Sequence, residues 1–194
     1  ADKASVEFIV TAPKQYRVVS NGVQNGNPNT VSPEGMTTSH WVEKVPLPTK
    51  VMVIGVARFE VDTVGFFKNT IPVTSWVFPQ DTTSGFNTYA QALPILQWMQ
   101  QYIGPYAYGK LANVQSKTIF GGMENANAIF YYEQSVKGRR DEEPLLAHEI
   151  AHQWFGNMAT EKSFHHLWLS EGFATYMTHR YLEAKYGDSI LKVR

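Results

Sequence analysis

Five consecutive residues, His148-Glu149-Ile150-Ala151-His152, bring two imidazoles and a carboxylate together at a spacing suited to metal chemistry. On a helix of 3.6 residues per turn, His148 and His152 stand one turn apart on the same face. Two imidazoles so placed can converge on one zinc ion at about 2.0–2.1 Å. Glu149, about 100° round the same helix, points beside the ion, where a base for an activated water is needed. Hydrolytic zinc takes three protein ligands and keeps a fourth position open. Glu171 is the candidate third ligand. The 18-residue interval after His152 lets one helix end, a loop turn back and a second helix present a carboxylate. Glu171 lies within Trp168-Leu169-Ser170-Glu171-Gly172-Phe173, whose aromatics imply a buried setting. A buried carboxylate needs a cationic or metal partner.

Taken singly, these residues also fit plainer readings. Positions 148, 149, 152 and 153 form a polar wedge opposite 147, 150, 151 and 154, as on any amphipathic surface helix. An isolated glutamate near a helix start is ordinarily solvated. The pairing of the two stretches favours the metal. His165 and His166 lie nearby in sequence, but the ligand set is complete without them, and they read as loop residues.

The elements that must position these groups fall into two halves. From residue 6 to about 61 the pattern is strand and turn. Residues 6–11 and 51–61 are strand-like runs, Asn21-Gly22 is a hairpin signal, and 24–35 is a loop rich in Asn, Gly and Pro. After about residue 63 strands and helices mix. Residues 71–78, 110–115 and 128–133 read as strands, the last two flanking Gly121-Gly122. Residues 86–103 read as a helix stopped by Gly104-Pro105, with Pro94 implying a later start or a kink. Asp141-Glu142-Glu143-Pro144 announces the histidine-bearing helix, which stops near Gly156-Asn157. A second helix spans about 168–186, with Gly187 as its stop.

With 43% hydrophobic and 18% charged residues, a chain of 194 can bury a core and is not a disordered type. The 17 basic and 17 acidic residues cancel without a basic run, so nothing steers the chain toward nucleic acid or an anionic membrane. The absence of cysteine rules out disulfides and thiolate metal sites. No apolar run reaches the roughly 18 residues of a membrane span, and the first residues lack a signal-peptide succession. A soluble protein is expected, and the sequence does not fix its compartment.

Three motifs, in order and near the right spacing, resemble the family of aminopeptidase N and leukotriene hydrolase, zinc peptidases of the gluzincin type. They are Gly121-Gly122-Met123-Glu124-Asn125, the His148 to His152 string with Trp154-Phe155-Gly156-Asn157, and Trp168-Leu169-Ser170-Glu171-Gly172. The resemblance implies one Zn2+ held by His148, His152 and Glu171, with Glu149 as base. It also implies that Glu124 grips the free α-amino group of a peptide while Gly121, Gly122, Met123 and Asn125 form the segment along the substrate backbone. Taken without the zinc motif, Gly121-Gly122 reads as a turn between two strands with a surface glutamate after it.

The expected fold class is α+β. Residues 1–62 would form an antiparallel β segment, the C-terminal part of an all-β domain. Residues 63–194 would form the first, truncated lobe of a thermolysin-like catalytic domain, a mixed-sheet and helix lobe carrying the zinc site. The family usually has alanine where Gly122 stands, and a carboxylate where Thr178 stands. Its oxyanion-stabilising tyrosine, some 80 residues past the second histidine, would fall beyond Arg194. Tyr102, Tyr106 and Tyr108 precede the site and read as packing residues. The expectation is therefore a fragment, weak or inactive alone, whose partners are peptides with a free N-terminus and the C-terminal lobe of the same polypeptide. An endopeptidase, an epoxide hydrolase and a non-catalytic zinc-binding module stay open as alternatives.

Overall fold

The computed structural model describes residues 2–26, 31–136 and 142–187. Residues 27–30 of the expected 24–35 loop, and Asp141 of the expected helix start, lie outside them. The first part of the chain carries five strands among its described residues, β1 (Lys3–Pro13), β2 (Arg17–Ser20), β3 (Val23–Gln24), β4 (Met36–Pro48) and β5 (Ile54–Ala57), with a 3-10 turn at Thr49–Val51. β1 and β4 pair antiparallel along most of their length, and β3 extends them into a sheet of order β1-β4-β3. β2 and β5 form a separate antiparallel pair.

The expected hairpin at Asn21-Gly22 is therefore absent, because β2 and β3 join different sheets. Long-range bonds decide this turn. Asn21 is fully buried; its amide nitrogen donates to the carbonyls of Val51 (3.0 Å) and Ala126 (2.7 Å), and its oxygen accepts from Val53 N–H (2.7 Å). Gly22 has φ +84°, and a Cβ there would meet Val42 O at 2.1 Å.

Next come β6 (Glu60–Phe67), β7 (Ile71–Val77), α1 (Thr82–Tyr89), α2 (Ala92–Ile103), β8 (Leu111–Ser116), β9 (Gly122–Met123) and β10 (Ala128–Tyr132). The five strands make one mixed sheet of order β6-β7-β8-β10-β9. β7, β8 and β10 run parallel, while β6 and β9 are antiparallel edges. The parallel step from β7 to β8 needs a crossover, which α1 and α2 supply. The sequence pattern indicated one helix over 86–103; two are found. Pro94 explains the break, since its ring would clash with the carbonyl of Ala90 in a continuous helix, whereas the first turn of α2 tolerates it.

α3 (Glu143–Ala151) and α4 (Leu167–Tyr186) follow, giving an α+β architecture of antiparallel sheets, a mixed sheet and helices. α3 stops earlier than expected: from Ala151 the chain continues in turns through Gly156, whose φ is +116°. α4 ends at Gly187 as its sequence indicates, with φ +83° and its N–H bonded to Glu183 O. Leu146 and Ile150 of α3, Met177 and Tyr181 of α4, Ile95 and Met99 of α2, and Leu111 and Ile129 of the sheet share one core, which also takes in Leu47 and Val51 from the first part of the chain. No helix among the described residues is long and apolar enough to cross a membrane.

The two last helices are joined where α3 begins and α4 ends. Glu143, 2% exposed, accepts a 2.6 Å hydrogen bond from Tyr181 Oη and further bonds from Tyr186 Oη and Lys185 Nζ. Burial alone would raise the Glu143 carboxyl, but Lys185, Tyr181 and Tyr186 together hold it below the ordinary 4.5. A depressed carboxylate contributes stability that is present above the unfolded-state value and lost as pH falls through the folded-state value. Glu143→Gln should lower stability by about 1–3 kcal/mol. In denaturant unfolding, the wild-type advantage should be full above pH 4.5 and shrink below it. An advantage constant with pH would show that the charge of Glu143 is not what matters.

Candidate metal centre

The opposite end of the α3–α4 pair gathers the candidate metal-binding side chains. His148 Nε2 and His152 Nε2 are 3.0 Å apart, and Glu171 Oε2 lies 3.2 Å from the first and 3.5 Å from the second. Ligands placed tetrahedrally at about 2.0–2.1 Å from a zinc ion stand about 3.3 Å from one another, so these three atoms already span one face of such a tetrahedron. Among the described residues, they are the group of His, Asp and Glu able to hold a metal ion.

His152 is 1% exposed and its Nδ1 donates to Phe155 O at 2.9 Å. That bond assigns the ring proton to Nδ1 and leaves the Nε2 lone pair facing its neighbours, as metal ligation requires. The Gly156 turn returns the Phe155 carbonyl to the ring; a Cβ on Gly156 would lie 3.3 Å from Ser170 Cβ and 3.4 Å from His152 Nδ1.

α3 is not the surface helix that its polar wedge also allowed. Glu149 is 5% and Gln153 1% exposed, while Leu146, Ala147, Ile150 and Ala151 face the core. Burial pushes the Glu149 carboxyl up to about 8; His152 opposes the shift, and the Glu124 and Glu171 carboxylates add to it. A bound cation would act in the opposite direction. The Glu149 carboxylate rests on Gly122, where a Cβ would stand 2.3 Å from Oε1. Glycine at 122 therefore gives this side chain space that alanine would fill.

Gly122 and Met123 are β9, the edge strand, with Tyr131 and Phe130 of β10 opposite on one side only. Gly121 precedes β9 and is exposed. Glu124 and Asn125 follow, buried at 8% and 5% exposure, and Asn125 N–H bonds back to Met123 O. The candidate residues from both motifs thus lie beside α3.

The Peptidase family M1 domain profile matches residues 86–192, more than half of the chain. The chain belongs to peptidase family M1. Its relatives include leucine aminopeptidase 2 of Emericella nidulans, 27% identical over 197 residues, covering 96% of this chain and 30% of that protein. Leukotriene A-4 hydrolase of Xenopus laevis is 26% identical over 193 residues, covering 96% of this chain and 31% of that protein. The chain thus spans under a third of the length of these curated relatives.

The structure corrects one premise about this M1 site. Glu171 is not in the buried aromatic setting its flanks implied: Trp168 is 66% and Phe173 48% exposed, and the Glu171 side chain 46%. The reason is helical phase, since Ser170, Ala174, Met177, Thr178 and Tyr181 turn inward and 168, 173 and 176 outward. His165 and His166 are exposed in the short 3-10 turn Phe164–His166. Tyr106 and Tyr108 are buried packing residues, but Tyr102 is half exposed, stacked on Trp98. Thr178 donates to Ala174 O within its own helix.

Sequence reasoning missed the groups that fix Glu124. Its carbonyl accepts from Asn157 Nδ2 (2.7 Å) and Gln153 Nε2 (3.2 Å), and Gln153 Oε1 accepts from Asn127 N–H (2.8 Å). Gln153 directly follows the histidine string and Asn157 ends the flanking Trp154-Phe155-Gly156-Asn157 stretch, which was the available signal. Gln153→Met keeps the volume but leaves the buried Asn127 N–H unpaired, at a cost of about 1–3 kcal/mol, and removes the weaker of two donors to the Glu124 carbonyl. Thermal unfolding should shift down accordingly while metal stoichiometry stays the same. An unchanged melting temperature would show that Gln153 is not structural.

Proposed function

We propose that this chain carries the zinc and amine-recognition machinery of an aminopeptidase, on a thermolysin-like lobe. The observation that carries the reading is the 3.0–3.5 Å triangle of His148, His152 and Glu171 with a buried glutamate, Glu149, directly beside it. One Zn2+ ion held by these three residues would supply Lewis-acid polarisation of a peptide carbonyl and a more acidic water.

The remaining work falls to the chain's own side chains. Glu149 takes a proton from the attacking water on its carboxylate and returns it to the leaving amine nitrogen. Its position against the backbone of Gly122 limits the directions in which that carboxylate can point. The edge strand β9 offers unpaired backbone groups on its outer side, which suit an extended peptide added as a further strand. The Glu124 carboxylate, carried just past that strand, pairs with a free α-ammonium and so sets where the peptide ends. Substrates are then peptides with free N-termini, and the leucine aminopeptidase 2 relatives support that class.

Elemental analysis after equilibration with Zn2+ should find one equivalent, lost in His152→Ala; unchanged zinc in the variant would remove His152 from the ligand set. In the intact protein, Glu149→Gln should keep the metal while turnover of an unblocked peptide falls by about 10²–10⁴-fold. Turnover near wild type with zinc retained would assign the base elsewhere. Glu124→Ala should cost roughly 10- to 150-fold in kcat/KM, because it deletes a hydrogen bond between charged groups. Equal cleavage of free and N-acetylated peptides by the wild type would point to an endopeptidase.

A further inference from the structure

Glu124 has a charged neighbour that no motif contains. Lys50 sits in the 3-10 turn Thr49–Val51, between β4 and β5. The turn is fastened beside Glu124, since Val51 O accepts from Ala126 N–H (3.1 Å) and from Asn21 Nδ2 (3.0 Å). Lys50 Nζ stands 2.5 Å from Glu161 Oε1 and 3.9 Å from Glu124 Oε1. The three side chains are 15%, 4% and 11% exposed, so solvent screens them poorly. Glu161 Oε2 is buried with no hydrogen-bond partner. A cavity of about 340 Å3 is lined in part by Lys50, Glu161 and Phe164.

We propose that Glu161 is a positioning residue: it holds the Lys50 ammonium off Glu124 and so keeps the Glu124 carboxylate available to the α-ammonium of a peptide. This rests on the amine-recognition reading of Glu124. Lys50 is a flexible ammonium at the outer limit of ion-pair distance, about one ångström short of a direct hydrogen bond to the carboxylate that has to bind another ammonium. In direct contact it would occupy the same oxygens as the ligand. Glu161 prevents this for two reasons. It is the more deeply buried of the two carboxylates, and Lys50 is its closest charged partner, so leaving it unpaired costs more than leaving Glu124 unpaired. Lys50 in turn separates two carboxylates that would otherwise repel across a gap with little water. The resulting order is carboxylate, ammonium, carboxylate, with the outer one anchored and the inner one open to ligand.

A purely structural ion pair would affect folding stability and leave substrate affinity alone; the positioning role affects KM in a defined direction. The test uses the intact protein with one peptide, free and N-acetylated, and compares wild type, Glu161→Gln and the double variant Lys50→Met/Glu161→Gln, with zinc content measured for each. Releasing Lys50 onto Glu124 in Glu161→Gln should raise KM for the free peptide by about 10-fold or more with kcat little changed. Removing the lysine as well should bring KM back toward wild type at equal zinc content. Should Glu161→Gln fail to fold, Glu161→Asp, which withdraws the carboxylate by one methylene, reads the same rise in KM. An unchanged KM in the single variant, or a double variant as impaired as the single, overturns the inference. A wild type that demands the free amine while Glu161→Gln keeps its KM defeats the inference alone. A wild type that cleaves free and acetylated peptide alike defeats the reading of Glu124 and the inference with it.

Discussion

Three candidate ligand atoms carried on or just past two helices stay 3.0–3.5 Å from one another only if those helices are held in register. That register is the constraint on which the rest of the molecule depends. Leu146 and Ile150 meet Ala174, Met177 and Tyr181 in the shared core, which sets the separation of α3 and α4. Packing alone leaves some freedom to slide, because apolar contacts have no direction. Glu143 removes it by tying the start of α3 to Tyr181, Lys185 and Tyr186 near the end of α4. A helix pair pinned at one end and packed along its middle presents fixed positions at the other, where His148, His152 and Glu171 lie.

The site concentrates negative charge in a space from which water is largely excluded. The side chains of Glu149, Glu124 and Glu161 are buried, Glu161 more deeply than Glu124, and Glu171 stands half exposed beside two imidazoles. Such a cluster is unfavourable when unpaired, and each of its members therefore attracts a cation or holds a proton. The arrangement separates these demands in space. Glu171 is held low by the adjacent imidazoles, His152 first and then His148, against the effect of burial. His152 is itself raised by Glu171, Glu124 and Glu149 against the effect of burial. Burial pushes Glu149 the other way, toward carrying a proton. Lys50 meets the needs of Glu161 and, more loosely, of Glu124. The pocket is thus suited to positive ligands in two places, one lined by imidazoles and one by carboxylates.

What the sequence made legible was local. The His148 to His152 spacing is a property of one helix turn, and Gly187, Pro94 and the strand-like runs act within a few residues of themselves. Glu171 could be found because its interval from His152 matches a helix, a turn and a helix. The groups that fix the site act across the chain and leave no periodic trace. Asn21 reads as a turn residue, yet its amide holds together Val51, Val53 and Ala126. Glu143 reads as a helix-start acid, yet its three partners come from the far end of another helix. Trp168 and Phe173 misled for a related reason: hydrophobic type indicates burial only on average, and the face of α4 that turns outward was fixed by the neighbours of Ala174 and Met177.

The segment 122–127 shows why these long-range bonds matter for chemistry and not only for stability. Its strand part pairs with β10, so the sheet positions it from one side. Its turn is bonded to Val51 and Asn21 from the first part of the chain, and to Gln153 and Asn157 from the turns after α3. Glu124 is thereby fixed relative to Glu149 by backbone contacts on two flanks, independently of where its own carboxylate points. A peptide laid along an edge strand has no inherent end; registers two residues apart present equivalent backbone groups. What distinguishes one register is a group that recognises the terminus, and it does so only if its distance from the reacting bond is constant. The hydrogen bonds that the Gln153 and Asn157 side-chain amides donate to the Glu124 carbonyl join the segment that would read the terminus to the stretch that carries the histidines, which makes that distance a property of the fold.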